Sequence, residues 1–177
     1  MKDFLIVYSS KTGNTEKVAK AMAAALPERC DLVKAEDFSG GEGYKVVFAG
    51  YWVDKGQPDA LAQKVLGSLT DSRVVLFQTL GAVPDSEHGV VSFANAGKFL
   101  NASNRVMGTL SIRGAIDPKL IEWMRKMPAG SPHAPTPASE KRWAEASTHP
   151  DEADLEKAGK YMTDFAAFYD RMKAFFK

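Results

Sequence analysis

The chain has 177 residues, 45% of them hydrophobic, with 23 basic against 22 acidic side chains and a formal net charge of +1. That size and apolar content suit one globular domain, residues 1–177, with an ordinary core. So even a charge balance offers no bulk attraction to nucleic acid or to a membrane surface. A single cysteine, Cys30, excludes an internal disulfide and a multi-cysteine metal centre, and no metal is expected. No run approaches membrane-spanning length, and the short apolar run after Lys2 ends in polar loop residues, so a cytoplasmic protein is expected.

The first element is a near-continuous apolar strand over residues 4–8. It stops at Ser9-Ser10-Lys11-Thr12-Gly13-Asn14-Thr15. A helical pattern follows at once over 15–26, with Val18, Met22, Ala25 and Leu26 on one face. A strand feeding a hydroxyl-rich turn at a helix N-terminus makes an anion site, because the first-turn N–H groups lack intrahelical partners and the helix dipole favours negative charge there. Ser9, Ser10, Thr12 and Thr15 add donors, and Gly13 lets the backbone approach closely. The stretch reads as a phosphate cradle, although a plain capped helix also favours hydroxyls. A dinucleotide fingerprint needs three glycines where only Gly13 stands. A P-loop needs Lys-Ser/Thr where Asn14-Thr15 stands.

Further strands are expected over 31–34, 45–51, 73–78 and 105–112, and helices over 58–69, 86–100 and 118–126. The link over 35–44 holds Gly40, Gly41 and Gly43 and is too short and flexible for a full crossover helix. Residues 128–150 carry five prolines together with His133 and His149 and read as a long, functional or mobile loop. A closing helix is expected from 150 to the C-terminus, its apolar stripe running through Leu155, Ala158, Met162, Phe165, Tyr169, Met172 and Phe176. Strand and helix alternate, which defines an α/β doubly wound parallel sheet of five strands with helices on both faces.

Ile6, Val7, Tyr8, Ser10, Gly13, Thr15 and Ala19, with Met22 as the final aliphatic, resemble the flavodoxin signature. The resemblance implies the strand order 2-1-3-4-5, a cradle that holds the terminal phosphate of FMN, and convergence of the loops that follow strands one, three and four. The second of these contains Tyr51, Trp52 and Val53; an aromatic pair after a buried strand suits a flat ligand, and Trp52 stands where flavodoxins often stack a Trp on the isoalloxazine. The third contains Thr79, Leu80, Gly81 and Ala82, whose amides could bond the flavin's pyrimidine edge. The cofactor-binding set is thus Ser9, Ser10, Lys11, Thr12, Gly13, Asn14, Thr15, Tyr51, Trp52, Val53, Thr79, Leu80, Gly81 and Ala82, with no side chain assigned a catalytic role. Three departures stand out: Val53 replaces the usual glycine, the third loop has no aromatic, and the chain lacks the usual acidity.

Other stretches, Gly50 to Gly56, Thr79 to His88, Ile116 to Lys119 and His149 to Glu152, are similar to short bacterial members of that family. These include the flavodoxin-like component that accompanies bilirubin reductase. The resemblance implies electron transfer to a partner redox protein, with a bilirubin-reducing flavoenzyme among the candidates. Two alternatives stay open: an FMN-dependent NAD(P)H:quinone-type oxidoreductase, and a flavin-free accessory module that binds a redox enzyme. A response-regulator receiver is excluded, since it needs acids where Ser9 and Ser10 stand.

Overall fold

The computed structural model describes residues 2–131 and 133–175, so Phe176, expected on the closing stripe, lies outside them. In chain order the elements are β1 (Phe4–Tyr8), α1 (Asn14–Ala25), β2 (Cys30–Lys34), a 3-10 turn (Ala35–Asp37), β3 (Val46–Asp54), β4 (Gln57–Pro58), α2 (Ala60–Ser68), β5 (Arg73–Leu80), α3 (Glu87–Gly97), β6 (Arg105–Arg113), α4 (Pro118–Arg125), α5 (Pro137–Ala146) and α6 (Glu152–Met172). Five strands are parallel in the order β2-β1-β3-β5-β6, which is the expected 2-1-3-4-5; the two-residue β4 adds a sixth, antiparallel to β3.

Side-chain alternation along the strands splits the core into two layers. Phe4, Ile6, Val46, Phe48, Val75, Phe77, Leu110 and Ile112 pack against Val18 and Met22 of α1 and Met162 and Phe165 of α6. Leu5, Val7, Val47, Ala49, Tyr51, Val74 and Leu76 pack against Ala62, Val65 and Leu66 of α2 and Ala96 of α3. Burial on both faces is why β1, β3 and β5 read as unbroken apolar runs. At the edge remote from the loops discussed below, Arg29 bonds Asp3 (2.9 Å) and Asp170 of α6 (2.7 Å), and Lys45 pairs with Asp3 as well. No helix among the described residues is long and apolar enough to cross a membrane.

Two expectations are corrected. β3 does not end at 51: it runs on to Asp54 and turns back into β4 through Lys55 (φ 51°) and Gly56 (φ 78°). A two-residue turn with both φ positive matches the twist of its flanking strands, and Asn95 fastens it by donating to the Gly56 carbonyl at 2.8 Å. Residues 128–150 are not one loop, since α5 occupies 137–146. Pro137 sits in its first turn, where the missing N–H costs nothing. Thr136 and Ser139 close a reciprocal capping box. Trp143 (7% exposed), Ser139 and Ala146 are buried, so this segment is built into the fold.

Candidate functional site

The loops following β1, β3 and β5 meet at one edge of the sheet, with the loop after β6 beside them. Their side chains divide into those turned inward and those left at the surface. Ser9 is buried; its hydroxyl donates to Asp59 Oδ1 at 2.7 Å, and its N–H donates to the Gly50 carbonyl at 3.0 Å. Asp59 is the N-cap of α2 and also accepts from the N–H groups of Leu61 and Ala62. Thr15 is fully buried, and its hydroxyl lies 2.8 Å from that of Thr79, which is itself buried at the end of β5. The hydroxyls of Ser9 and Thr15, expected as ligand donors, are therefore bonded within the protein.

Ser10, Lys11, Thr12, Gly13 and Asn14 stay at the edge. Ser10 Oγ is buried among the described residues without a hydrogen-bond partner. Gly13 caps α1 at φ 90°, a left-handed conformation that strains any other residue, with open space where a Cβ would stand. Asn14 Nδ2 donates to the Ala115 carbonyl at 2.8 Å and, at 3.3 Å, to Thr12 Oγ1. Helices α2 to α6 each begin with a side chain accepting from their first turn: Asp59, Ser86, Asp117, Thr136 and Asp151. α1 begins with none. Its first-turn N–H groups and the orphaned Ser10 hydroxyl are the donors this edge leaves available.

The second loop is corrected in part. Tyr51, Trp52 and Val53 belong to β3, so they alternate between faces. Tyr51 is fully buried on the α2 and α3 side, its hydroxyl donating to Gln78 Oε1 at 3.1 Å, and its ring cannot meet a ligand at the edge. Burial pushes the Tyr51 phenol far above its ordinary value. Trp52 takes the opposite face, half-buried and in register with Thr79. Lys11 Nζ lies 5.4 Å from the centre of its ring and 3.2 Å from Asp117 Oδ2. Asp117 is held below the usual carboxylate range, first by the N–H of Lys119 and then by the Lys11 ammonium.

In the third loop, Thr79 and Leu80 are buried strand residues, whereas Gly81 and Ala82 are half-buried beyond the strand end. A Cβ on Gly81 would come within 2.2 Å of Ile116 Cγ1, so this glycine lets the loop after β6 close against the loop after β5. That fourth loop is the part sequence reasoning missed. Ala115 receives Asn14, and Asp117 receives Lys11. Asp117-Pro118 carries a readable signal, an acid before a first-turn proline; its pairing with Lys11 has no local signature. The same holds for Ser9 and Asp59, fifty positions apart.

A doubly wound sheet in this order, with an uncapped helix N-terminus at the end of its first strand, defines the class: the chain belongs to the flavodoxin domain family, whose profile matches residues 5–163. It is 28% identical over 162 residues to the flavodoxin-like domain-containing protein BilS of Clostridioides difficile (strain CD3), spanning 89% of this chain and 92% of that protein. Among solved structures it is similar to the flavodoxin of Streptococcus pneumonia TIGR4, with TM-score 0.57 and 13% identity over 93% of this chain and 97% of the other. It is also similar to a flavoprotein from Lactobacillus acidophilus NCFM in complex with FMN, with TM-score 0.50 and 16% identity over 70% and 99%.

Proposed function

We propose that this protein binds FMN through the edge formed by Ser10 to Asn14, Trp52 and the loop over Gly81 and Ala82, and passes electrons to a partner redox protein. One observation carries the reading: among the α-helices of the described residues α1 alone lacks a side-chain cap, and the buried Ser10 hydroxyl beside it has no partner there. A phosphate dianion satisfies both, because uncapped N–H groups and a hydroxyl are the donors it takes, and open space at Gly13 leaves room for it. When bound, FMN supplies the redox chemistry; the protein supplies binding, orientation and electrostatics. Lys11 places positive charge beside the cradle, and Trp52 offers a ring at the same edge. The chemistry needs no acid or base from the chain.

Titration of purified protein with FMN and with riboflavin tests the phosphate claim. FMN is expected to bind far more tightly, and Ser10→Ala is expected to weaken FMN while leaving riboflavin unchanged; equal affinities for the two would sink the reading. The loaded protein is expected to turn over NAD(P)H slowly by itself, and rapid oxidation with a quinone would favour a self-sufficient reductase instead. On the family resemblance, a bilirubin-reducing flavoenzyme is the acceptor we propose to try first.

A further inference from the structure

We infer that the outward face of α4, centred on Trp123, is the surface on which the redox partner docks, and that it takes a protein face rich in carboxylates around an apolar centre. This rests on the carrier reading above. Trp123 is 55% exposed and Leu120, one turn earlier on the same stripe, is 45% exposed, whereas the helix turns Met124 and half of Ile121 inward. A tryptophan left largely in water is the residue type most often found at the energetic centre of a protein interface.

Position ties this face to the redox edge. Asp117 caps α4 by accepting the Lys119 N–H at 3.0 Å, and the same carboxylate holds the Lys11 ammonium that lies over Trp52. α4 therefore starts at the rim of the proposed flavin site, and a protein seated on Trp123 stands next to that rim. The platform is also fixed in place. Arg125 grips Glu140 of α5 through two bonds, 2.8 and 2.6 Å long, and α5 is anchored by buried Trp143. A surface ordered in advance loses little freedom when a partner arrives.

Charge names the occupant. Two acids near the helix, Asp117 and Glu140, are engaged by Lys11 and Arg125. Lys119 and Lys126, four residues before Trp123 and three after it, are exposed and stand about one helical turn to either side of it; Glu122 is the one acid within the helix itself. With those two pairs neutral, Lys119 and Lys126 against Glu122 leave one net positive charge on this face. An acidic partner is steered toward such a face and a basic one is turned away.

Zero-length carbodiimide coupling, which joins a lysine amine to a carboxylate with loss of water, tests this with two probes of opposite sign. These are the acidic soluble domain of cytochrome b5 and basic cytochrome c. Links from cytochrome b5 are expected at Lys119 and Lys126. Trp123→Ala is expected to lower their yield on the order of tenfold without moving the melting temperature. The pair Lys119→Glu and Lys126→Glu is expected to exchange the preference for one favouring cytochrome c, read in stopped-flow reduction of both cytochromes by the FMN-loaded protein after its flavin has been reduced with stoichiometric dithionite, with benzoquinone reduction unchanged. Links spread over Lys64, Lys98 and other distant lysines would overturn the proposal, as would full yield in Trp123→Ala. Coupling needs no flavin, so a chain that fails to take FMN overturns the cofactor reading and leaves the docking result readable.

Discussion

Thr15 and Thr79 share a hydrogen bond 2.8 Å long between two buried hydroxyls, which ties the first turn of α1 to the end of β5. Replacing either one alone strands the other. Thr79→Val is expected to cost about 1–3 kcal/mol, since a buried hydroxyl left unsatisfied keeps its full desolvation penalty. The double change, Thr15→Val with Thr79→Val, is expected to cost clearly less than the two single costs added together. Urea unfolding of the four proteins closes the cycle; strict additivity would mean that the two hydroxyls do not depend on each other.

Tyr51 and Trp52 are neighbours with separate duties. Trp52→Ala is expected to weaken FMN by about 1–3 kcal/mol through lost stacking and burial, with little change in unfolding midpoint. Tyr51→Phe strands Gln78 Oε1 inside the protein and is expected to lower stability by about 1–3 kcal/mol while leaving FMN affinity alone. Flavin titration and chemical unfolding, run on both variants, separate the roles; a flavin defect in Tyr51→Phe would return that residue to the site.

Acid sensitivity is expected at the far edge. The Asp3 carboxyl is held below its ordinary 3.8, chiefly by the hydrogen bond from Lys45, with a smaller contribution from Arg29. Asp170 is lowered by Arg29 as well. Groups depressed in the folded state bind protons more readily once unfolded, so their contribution is complete above the ordinary value and is lost as pH falls through the depressed one. Unfolding midpoints followed from about pH 6 to about pH 2 are expected to fall more steeply for the native sequence than for Asp3→Asn. Parallel curves would remove Asp3 from the account.

The tail is expected to matter to the fold. Trp143→Ala empties a buried site under α5 and is expected to cost about 3–5 kcal/mol, detectable as a lower melting temperature. Thr136→Ala removes the helix's capping hydroxyl and is expected to cost about 1 kcal/mol. A Trp143→Ala protein as stable as the native one would restore the picture of a detached loop.

The sheet was readable because burial on both faces writes itself as apolar runs, and α1 because its cradle chemistry is local. Tyr51 shares the buried side of Val47 and Ala49, and the continuation of β3 past it sends Trp52 to the opposite face, which no local feature of the pair announces. α5 was hidden by its own prolines, which break a helix in its interior and start one in its first turn. The inward turn of Ser9 and Thr15 was not legible at all, since Asp59 and Thr79 become their partners only once the strands are side by side.

Ala115 joins two parts of the chain that share no element. Its N–H donates to the His149 carbonyl at 2.7 Å, and its own carbonyl receives Asn14 at the head of α1. The backbone amide of Ala115 therefore exchanges with solvent deuterium only when the tail lets go at His149. A single proton, followed by hydrogen exchange, reports the opening of the contact that closes the chain from Ala115 to His149, and its rate in the presence and absence of FMN measures whether the cradle and the tail tighten together.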